Sequence, residues 1–295
     1  MKKDLCFLIL TCLLFGSARA QSLDVVATFS ILGDFVYAVG GDNVNLTVLV
    51  GPDGDTHEYE PVPRDSVALA EAALVFENGL GLEPWLDDLY EASGSRATRV
   101  TASDGVAPLT VAEAGESEPD PHIWHSVPNA VQMVENVRAA LVAADPAHAE
   151  AYNVNAAAYT AELQALDAYV RGRVATLPPE RRKLVTSHDT FGYFAREYGF
   201  EIVGAVLPSV STESADPGAG ELAALIEKVR AADVPAVFAE NIVNPGLLDQ
   251  VAKSAGVAVA PTLYTDALGA VGTKGETYLD LERYNVDTIT TALEK

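Results

Sequence analysis

Two of the five histidines in this 295-residue chain fall within one short stretch, Glu118-Pro119-Asp120-Pro121-His122-Ile123-Trp124-His125. Each proline fixes its own φ and biases the preceding residue towards an extended backbone, so the spacing predicts that His122 is presented from a stiff, non-helical loop. An imidazole held in this way has little freedom left to lose on taking a metal ion. Three further positions could do the same chemistry. They are His57 in the turn-rich run Gly51-Pro52-Asp53-Gly54-Asp55-Thr56-His57-Glu58, His188 in Thr186-Ser187-His188-Asp189, and Asp266 in Tyr264-Thr265-Asp266. Taken singly, each has a plainer reading: a surface loop for His122, a turn for His57 and Asp266, and a neighbour of a helix cap for His188.

The elements that must position these residues follow from hydrophobic periodicity and turn chemistry. In the first half the pattern predicts strands at 23–29, 44–50, 73–77 and, weakly, 99–103, with helices at 30–39, 66–71 and 83–92. Residues 111–119 read as a linker of small and acidic residues. A helix is predicted over 128–143. A much longer one follows over 147–175, rich in Ala, Leu, Glu and Gln and stopped by Pro178-Pro179. It should span on the order of 45 Å, the length of a domain. The second half predicts strands at 183–186, 201–206, 236–239 and 257–260 and helices at 191–198, 221–231, 245–254 and 277–293.

The architecture expected is therefore α/β: two small lobes with mainly parallel sheets, joined by one long rigid helix. The divisions are a leader over 1–20, a first lobe over 21–145, a linking helix over 146–178 and a second lobe over 179–295. His57, His188 and Asp266 each follow the carboxyl end of a predicted strand, where open α/β sheets bind ligands. His57 and His122 come from the first lobe, His188 and Asp266 from the second. A ligand held by all four would sit in the cleft between lobes. Three imidazoles and one carboxylate suit Zn²⁺, whereas Mn²⁺ and Fe²⁺ usually take more oxygen donors. His148, early in the long helix, is expected to be a solvated side chain.

Composition narrows the chemistry further. Lys2 and Lys3 precede an apolar run over 5–15, and Ala18-Arg19-Ala20 offers small residues at the cleavage positions, the pattern of a secretory leader with a mature start near Gln21. Leu10-Thr11 is a poor lipidation context for Cys12. Both cysteines, Cys6 and Cys12, lie in that leader, which leaves no thiol for disulfides, zinc-thiolate sites or nucleophilic catalysis. The chain carries a formal net charge of −23. Such a surface repels nucleic acid and anionic lipid and favours cations.

These motifs, in this order, resemble the zinc/manganese (TroA-like) family of metal-binding solute-binding proteins of ABC importers. The resemblance rests on Gly51-Pro52 with Thr56-His57-Glu58-Tyr59-Glu60-Pro61, on Asp120-Pro121-His122-Ile123-Trp124, on Thr186-Ser187-His188-Asp189-Thr190-Phe191-Gly192-Tyr193-Phe194, and on Tyr264-Thr265-Asp266-Ala267-Leu268-Gly269. It implies ligation by His57, His122, His188 and Asp266. It also implies zinc as cargo, because manganese-type members tend to carry Glu where His188 stands. A periplasmic monomer that hands metal to an inner-membrane permease is the function implied, with a manganese or iron carrier as the alternative. A zinc-dependent hydrolase and an adhesin on the same fold are more distant rivals. Glu58 and Glu240 are expected to support the ligands rather than act as bases. The chain departs from the family pattern twice. Residues 113–119 are acidic where many zinc members carry a histidine-rich loop, which leaves metal acquisition to carboxylates, a metallochaperone or the site alone. His125-Ser126-Val127 stands where Leu-Asp-Pro is usual, which offers His125 as a competing or transient ligand.

Overall fold

The first strand, β1 (Leu23–Phe29), buries every side chain from Val25 to Phe29, as a strand covered on both faces must. In this computed structural model, which describes residues 22–113, 116–213 and 217–294, β1 lies in a four-stranded sheet with β2 (Val44–Val50), β3 (Leu74–Glu77) and β4 (Thr98–Thr101). The order is β2-β1-β3-β4 and every pairing is parallel. The expected leader and both cysteines lie outside the described residues. The helices α1 (Ser30–Gly40), α2 (Pro63–Glu71) and α3 (Leu86–Ser93) connect the strands.

The second sheet contains β7 (Lys183–His188), β8 (Glu201–Leu207), β9 (Ala236–Glu240) and β10 (Ala258–Leu263), again parallel, in the order β10-β9-β7-β8. Counted within its own lobe, this is the order of the first sheet: the second strand beside the first, then the third and fourth on the first strand's other side. The helices α6 (Gly192–Tyr198), α7 (Ala219–Ala232), α8 (Gly246–Ala255) and α9 (Tyr278–Leu293) complete the lobe. The expected two-lobed α/β fold is the one observed.

The helix α4 (Val127–Ala144) packs on α1 and the first sheet, and the long α5 (Ala149–Val174) runs beside it and also packs on α9 of the second lobe. The 26 residues of α5 extend about 39 Å. Its buried stripe, Tyr152, Ala156, Tyr159, Leu163, Leu166, Val170 and Val174, recurs every three or four residues and packs into a core shared by both lobes. Arg171 and Arg173 in its last turn favour the negative end of the helix dipole. Among the described residues, no helix is long and apolar enough to cross a membrane.

Three expectations need correction. The stretch expected as a linker is an antiparallel hairpin, β5 (Thr110–Glu113) with β6 (Glu116–Pro119). The β-branched Thr110 and Val111 favour it, the Asp120 amide extends the ladder to the Leu109 carbonyl at 2.9 Å, and Pro119 sits at its end, where a missing N–H is tolerated. His148 is not a freely solvated side chain, because its Nδ1 lies 2.5 Å from Asp145 Oδ2, which also accepts from Tyr152 Oη at 2.8 Å. His125 is not available to a metal. It is fully buried and stacked on Phe191, with Nδ1 3.2 Å from Glu282 Oε1 on α9.

This pair pins the loop carrying His122 to α9 of the second lobe. Burial pushes the Glu282 carboxyl above its ordinary range, against the pull of His125. Both His125 Nε2 and Glu282 Oε2 lack a partner among the described residues. Removing one member strands the other, whereas replacing both with apolar groups does not. Glu282→Leu alone should destabilise the protein by roughly 1–3 kcal/mol, and adding His125→Leu should recover most of it. Chemical denaturation of the four proteins of this cycle checks the sign of the coupling.

Candidate metal centre

Each of the four candidate donors is fixed by its own local device. His57 follows β2 on a turn in which Asp55 Oδ1 accepts the amides of His57, at 2.9 Å, and Glu58, at 3.4 Å. Trp85 Nε1 donates to the Thr56 carbonyl at 2.8 Å and supports the same turn from behind. The Asp120 Oδ1 atom accepts both the His122 amide, at 3.0 Å, and a ring N–H at His122 Nδ1, at 2.8 Å. Asn78 Nδ2 donates to the Pro121 carbonyl at 3.0 Å, so the prolines are anchored as well as stiff.

His188 is the last residue of β7, and Glu240 is the last of the neighbouring β9. Both lie where the strand order reverses, at the carboxyl edge of the sheet. Glu240 Oε1 accepts the amides of Ser187, at 2.7 Å, and His188, at 2.9 Å. Its Oε2 lies 2.5 Å from His188 Nδ1 and accepts Thr265 Oγ1 at 3.0 Å. Asp266 follows β10 and accepts Thr190 Oγ1 at 3.2 Å through Oδ1, which leaves Oδ2 turned to the histidines. Gly192 is required beside this cage, because a Cβ there would stand 2.6 Å from Asp120 Oδ2.

The structure brings all four sequence-selected residues together, and none is more than 2% exposed. His122 Nε2 lies 3.3 Å from His57 Nε2 and 3.4 Å from His188 Nε2. Asp266 Oδ2 lies 3.4, 3.5 and 3.2 Å from the Nε2 atoms of His57, His122 and His188. Four ligands at the usual 2.0–2.1 Å from a tetrahedral metal ion are about 3.3–3.4 Å apart. Asp120 and Glu240 draw the Nδ1 protons of His122 and His188, so their Nε2 lone pairs point into the same space. Five of the six donor–donor distances therefore match the spacing that a small divalent cation would need.

Glu240 stands behind His188, where a supporting residue is expected, whereas the Glu58 side chain is exposed. Asp55 does the work expected of Glu58. Asp120 was passed over, although an Asp two residues before a buried His is itself the signal of a side chain folded back onto that residue's backbone.

Within the cage the buried charges offset one another. Burial opposes charge on Asp266, yet His122 and His188 hold its carboxyl well below the usual range. Burial likewise opposes protonation of His122, but Asp266 and the Asp120 hydrogen bond outweigh it and push its pKa up to about 9. His188 is raised well above its ordinary value against the same burial, by Glu240 and Asp266.

The two lobes, the bridging helix and a closed four-donor cage in the cleft define a bilobal cation-binding protein. Comparison with known proteins places that class in a lineage. The family model described as ZnuA, zinc-uptake complex component A, periplasmic, matches residues 25–292. The manganese-binding lipoprotein MntA of Halalkalibacterium halodurans is 38% identical over 279 residues, covering 95% of this chain and 91% of that one. The iron-binding protein YfeA of Yersinia pestis is 37% identical over 276 residues, covering 92% and 87%. The periplasmic zinc-binding protein TroA of Treponema pallidum superposes with a TM-score of 0.86 at 32% identity, covering 92% of this chain and 99% of that one. The chain belongs to the ZnuA/TroA family of metal-binding, non-enzymatic substrate-binding proteins of ABC transporters.

The raised histidine values give a pH prediction with a definite sign. Protonation of His122 contributes stability to the metal-free protein that is complete below about 6.5 and lost as pH rises through about 9. A metal competes for the same nitrogen, so its affinity runs the other way. Apparent affinity should climb about tenfold per pH unit for each proton displaced, flattening above about 9. Chelator competition from pH 6 to 10 measures this, while the melting midpoint of stripped protein should fall over the same interval. An affinity independent of pH would mean that imidazoles do not hold the ion.

Proposed function

We propose that His57, His122, His188 and Asp266 bind one Zn²⁺ ion outside the cytoplasmic membrane and deliver it to an ABC permease, with no chemistry performed on the metal. The observation that carries this reading is the donor set itself: three imidazoles and one carboxylate gathered within 4.8 Å of one another, with His188 in the third position. Imidazole-rich, four-coordinate cages suit zinc, while manganese and iron favour more oxygen donors and higher coordination. The leader over 1–20 fits release at Gln21 into the periplasm, although a relative such as MntA is named a lipoprotein. Within the reading, the first lobe is 21–145, the linking helix 146–178 and the second lobe 179–295. The partner is a membrane permease with its ATPase. A metallochaperone would serve acquisition in place of a histidine-rich loop, and the carrier works as a monomer.

A second reading, transport of manganese or iron, has a specific observation in its favour: relatives at 37–38% identity are named for those metals. Titration of chelator-stripped protein with Zn²⁺ and Mn²⁺ in competition separates the two. Zinc should be retained at a stoichiometry of one, and preferential manganese retention would overturn the zinc assignment. His122→Ala should lose at least a hundredfold in zinc affinity, in line with a whole ligand removed at about 1.4 kcal/mol per tenfold. His188→Glu should narrow the preference for zinc over manganese, because it exchanges a neutral nitrogen donor for an anionic oxygen donor. Zinc at a hundred times its dissociation constant should add about 2.7 kcal/mol to stability, read as an upward shift in melting temperature.

A further inference from the structure

The turn that presents His57 is tied to the opposite lobe at its mouth-facing edge. Asp55 spends one carboxylate oxygen on the His57 and Glu58 amides and the other on Thr212, whose Oγ1 donates to Asp55 Oδ2 at 2.7 Å across 157 residues of sequence. Thr212 is 8% exposed and lies on the loop between β8 and α7. Its neighbours on that loop, Val210 and Glu213, face Leu80 and Glu118 of the first lobe across a cavity of about 470 Å³. His57 lines this cavity and the other three candidate ligands do not. A second tie lies alongside: Asn241 Nδ2 donates to Asp53 Oδ1 at 2.9 Å, and the Asp53 amide donates to the Leu268 carbonyl at 2.8 Å. Asp53 adopts a left-handed φ of 56° to make these contacts.

The remaining ties across the cleft bypass this turn. Trp124 Nε1 donates to the Thr265 carbonyl and the Leu268 amide to Ser30 Oγ, both buried and both at 2.9 Å. They hold the lobes together whether or not the His57 turn is latched. Among the described residues, the interlobe ties that reach the His57 turn are those at Asp55 and Asp53, while Trp85 supports the turn from its own lobe.

We infer that the Asp55–Thr212 hydrogen bond is an interlobe latch that sets the rate at which the bound metal ion leaves past His57. The inference rests on the metal-binding reading above. Thr212 is a positioning residue: it touches no donor atom and acts through Asp55 on the main chain of His57. Breaking the latch frees the turn to swing away from the other lobe while all four ligands remain in the chain. The effect is therefore expected on release rather than on capture.

The test loads full mature protein with Co²⁺, mixes it rapidly with excess chelator and follows loss of the cobalt absorption bands. Thr212→Val keeps the shape of the side chain and removes the hydroxyl, and Thr212→Ala removes it without added bulk. Both should release cobalt about tenfold faster than wild type, equivalent to about 1.4 kcal/mol, close to the lower bound for one hydrogen bond to a charged group. Thr212→Ser should release at the wild-type rate. The cobalt bands before mixing should match wild type in all three, since the donor set is intact. A wild-type release rate in Thr212→Val and Thr212→Ala overturns the latch, as does a Thr212→Ser rate equal to theirs. Altered bands in Thr212→Val also overturn it, because the ligands themselves would then have been disturbed. If wild-type protein binds neither Co²⁺ nor Zn²⁺, the metal-binding reading fails instead, and the two failures are thereby distinct.

Discussion

Three imidazole nitrogens and one carboxylate oxygen gather within 4.8 Å of one another, five of their six separations being 3.2–3.5 Å, in a place where none of the four residues is more than 2% exposed. In the metal-free protein, protons on His122 and His188 pair with the buried Asp266 carboxylate and offset part of the cost of its burial. A divalent cation would take the place of those protons among the same donors. The surrounding structure reads as the means of holding the donors in place until it arrives. Asp120 and Glu240 stand behind His122 and His188, fix their ring orientation and raise their basicity. Their charges, with that of Asp266, outweigh the two positive charges of an incoming ion, as a site that must attract a cation from dilute solution requires.

The scaffold supplies this geometry by using the same sheet twice. Each lobe places its second strand on one side of the first and its third and fourth on the other, so each presents a crevice where the strand order reverses. In the second lobe that crevice is occupied by His188 at the end of β7 and Glu240 at the end of β9. Strand ends locate these two residues more rigidly than a loop would. The first lobe contributes its candidate donors from loops instead, and each loop is stiffened by other means: the prolines and Asn78 around His122, and the Asp55 turn and Trp85 around His57. The long α5 helix, packed along its whole buried stripe, keeps the two halves of the cage in register.

Much of this was legible in the chain alone, for physical reasons that can be named. The parallel strands are buried on both faces and read as short apolar runs, and the long helix is bounded by Pro146 and by Pro178-Pro179. The four candidate ligands stood out because few histidines occur and most sit beside strand ends or turn residues. Three features resisted. The hairpin at Thr110–Pro119 is short and acidic, and its pairing depends on the Leu109–Asp120 contact. The fate of His125 depends on Glu282, 157 residues away, and no local pattern predicts that a histidine three residues from a candidate ligand will turn into the core. The supporting role of Asp55 rather than Glu58 turns on which carboxylate folds back onto its own backbone, and the compact Asp side chain makes that contact while Glu58 extends into solvent.

The relation between fold and cargo follows from where chemistry can vary. Proteins named for zinc, manganese and iron share this architecture, so lobe topology and the bridging helix cannot select among metals. Selection has to reside in the number, charge and hardness of the donors. An imidazole at His188 offers one nitrogen donor, and Glu240 Oε2 stands 2.5 Å from its other nitrogen. A carboxylate in its place would add a negative charge and a second oxygen, and would lose the Nδ1 contact with Glu240 that orients the ring. Glu240 would then face another carboxylate with no proton between them, so a change at this ligand would force a change in the residue behind it. On this argument the selectivity of the cage belongs to the His188–Glu240 pair as a unit, supported by Thr265, and not to the ligand alone.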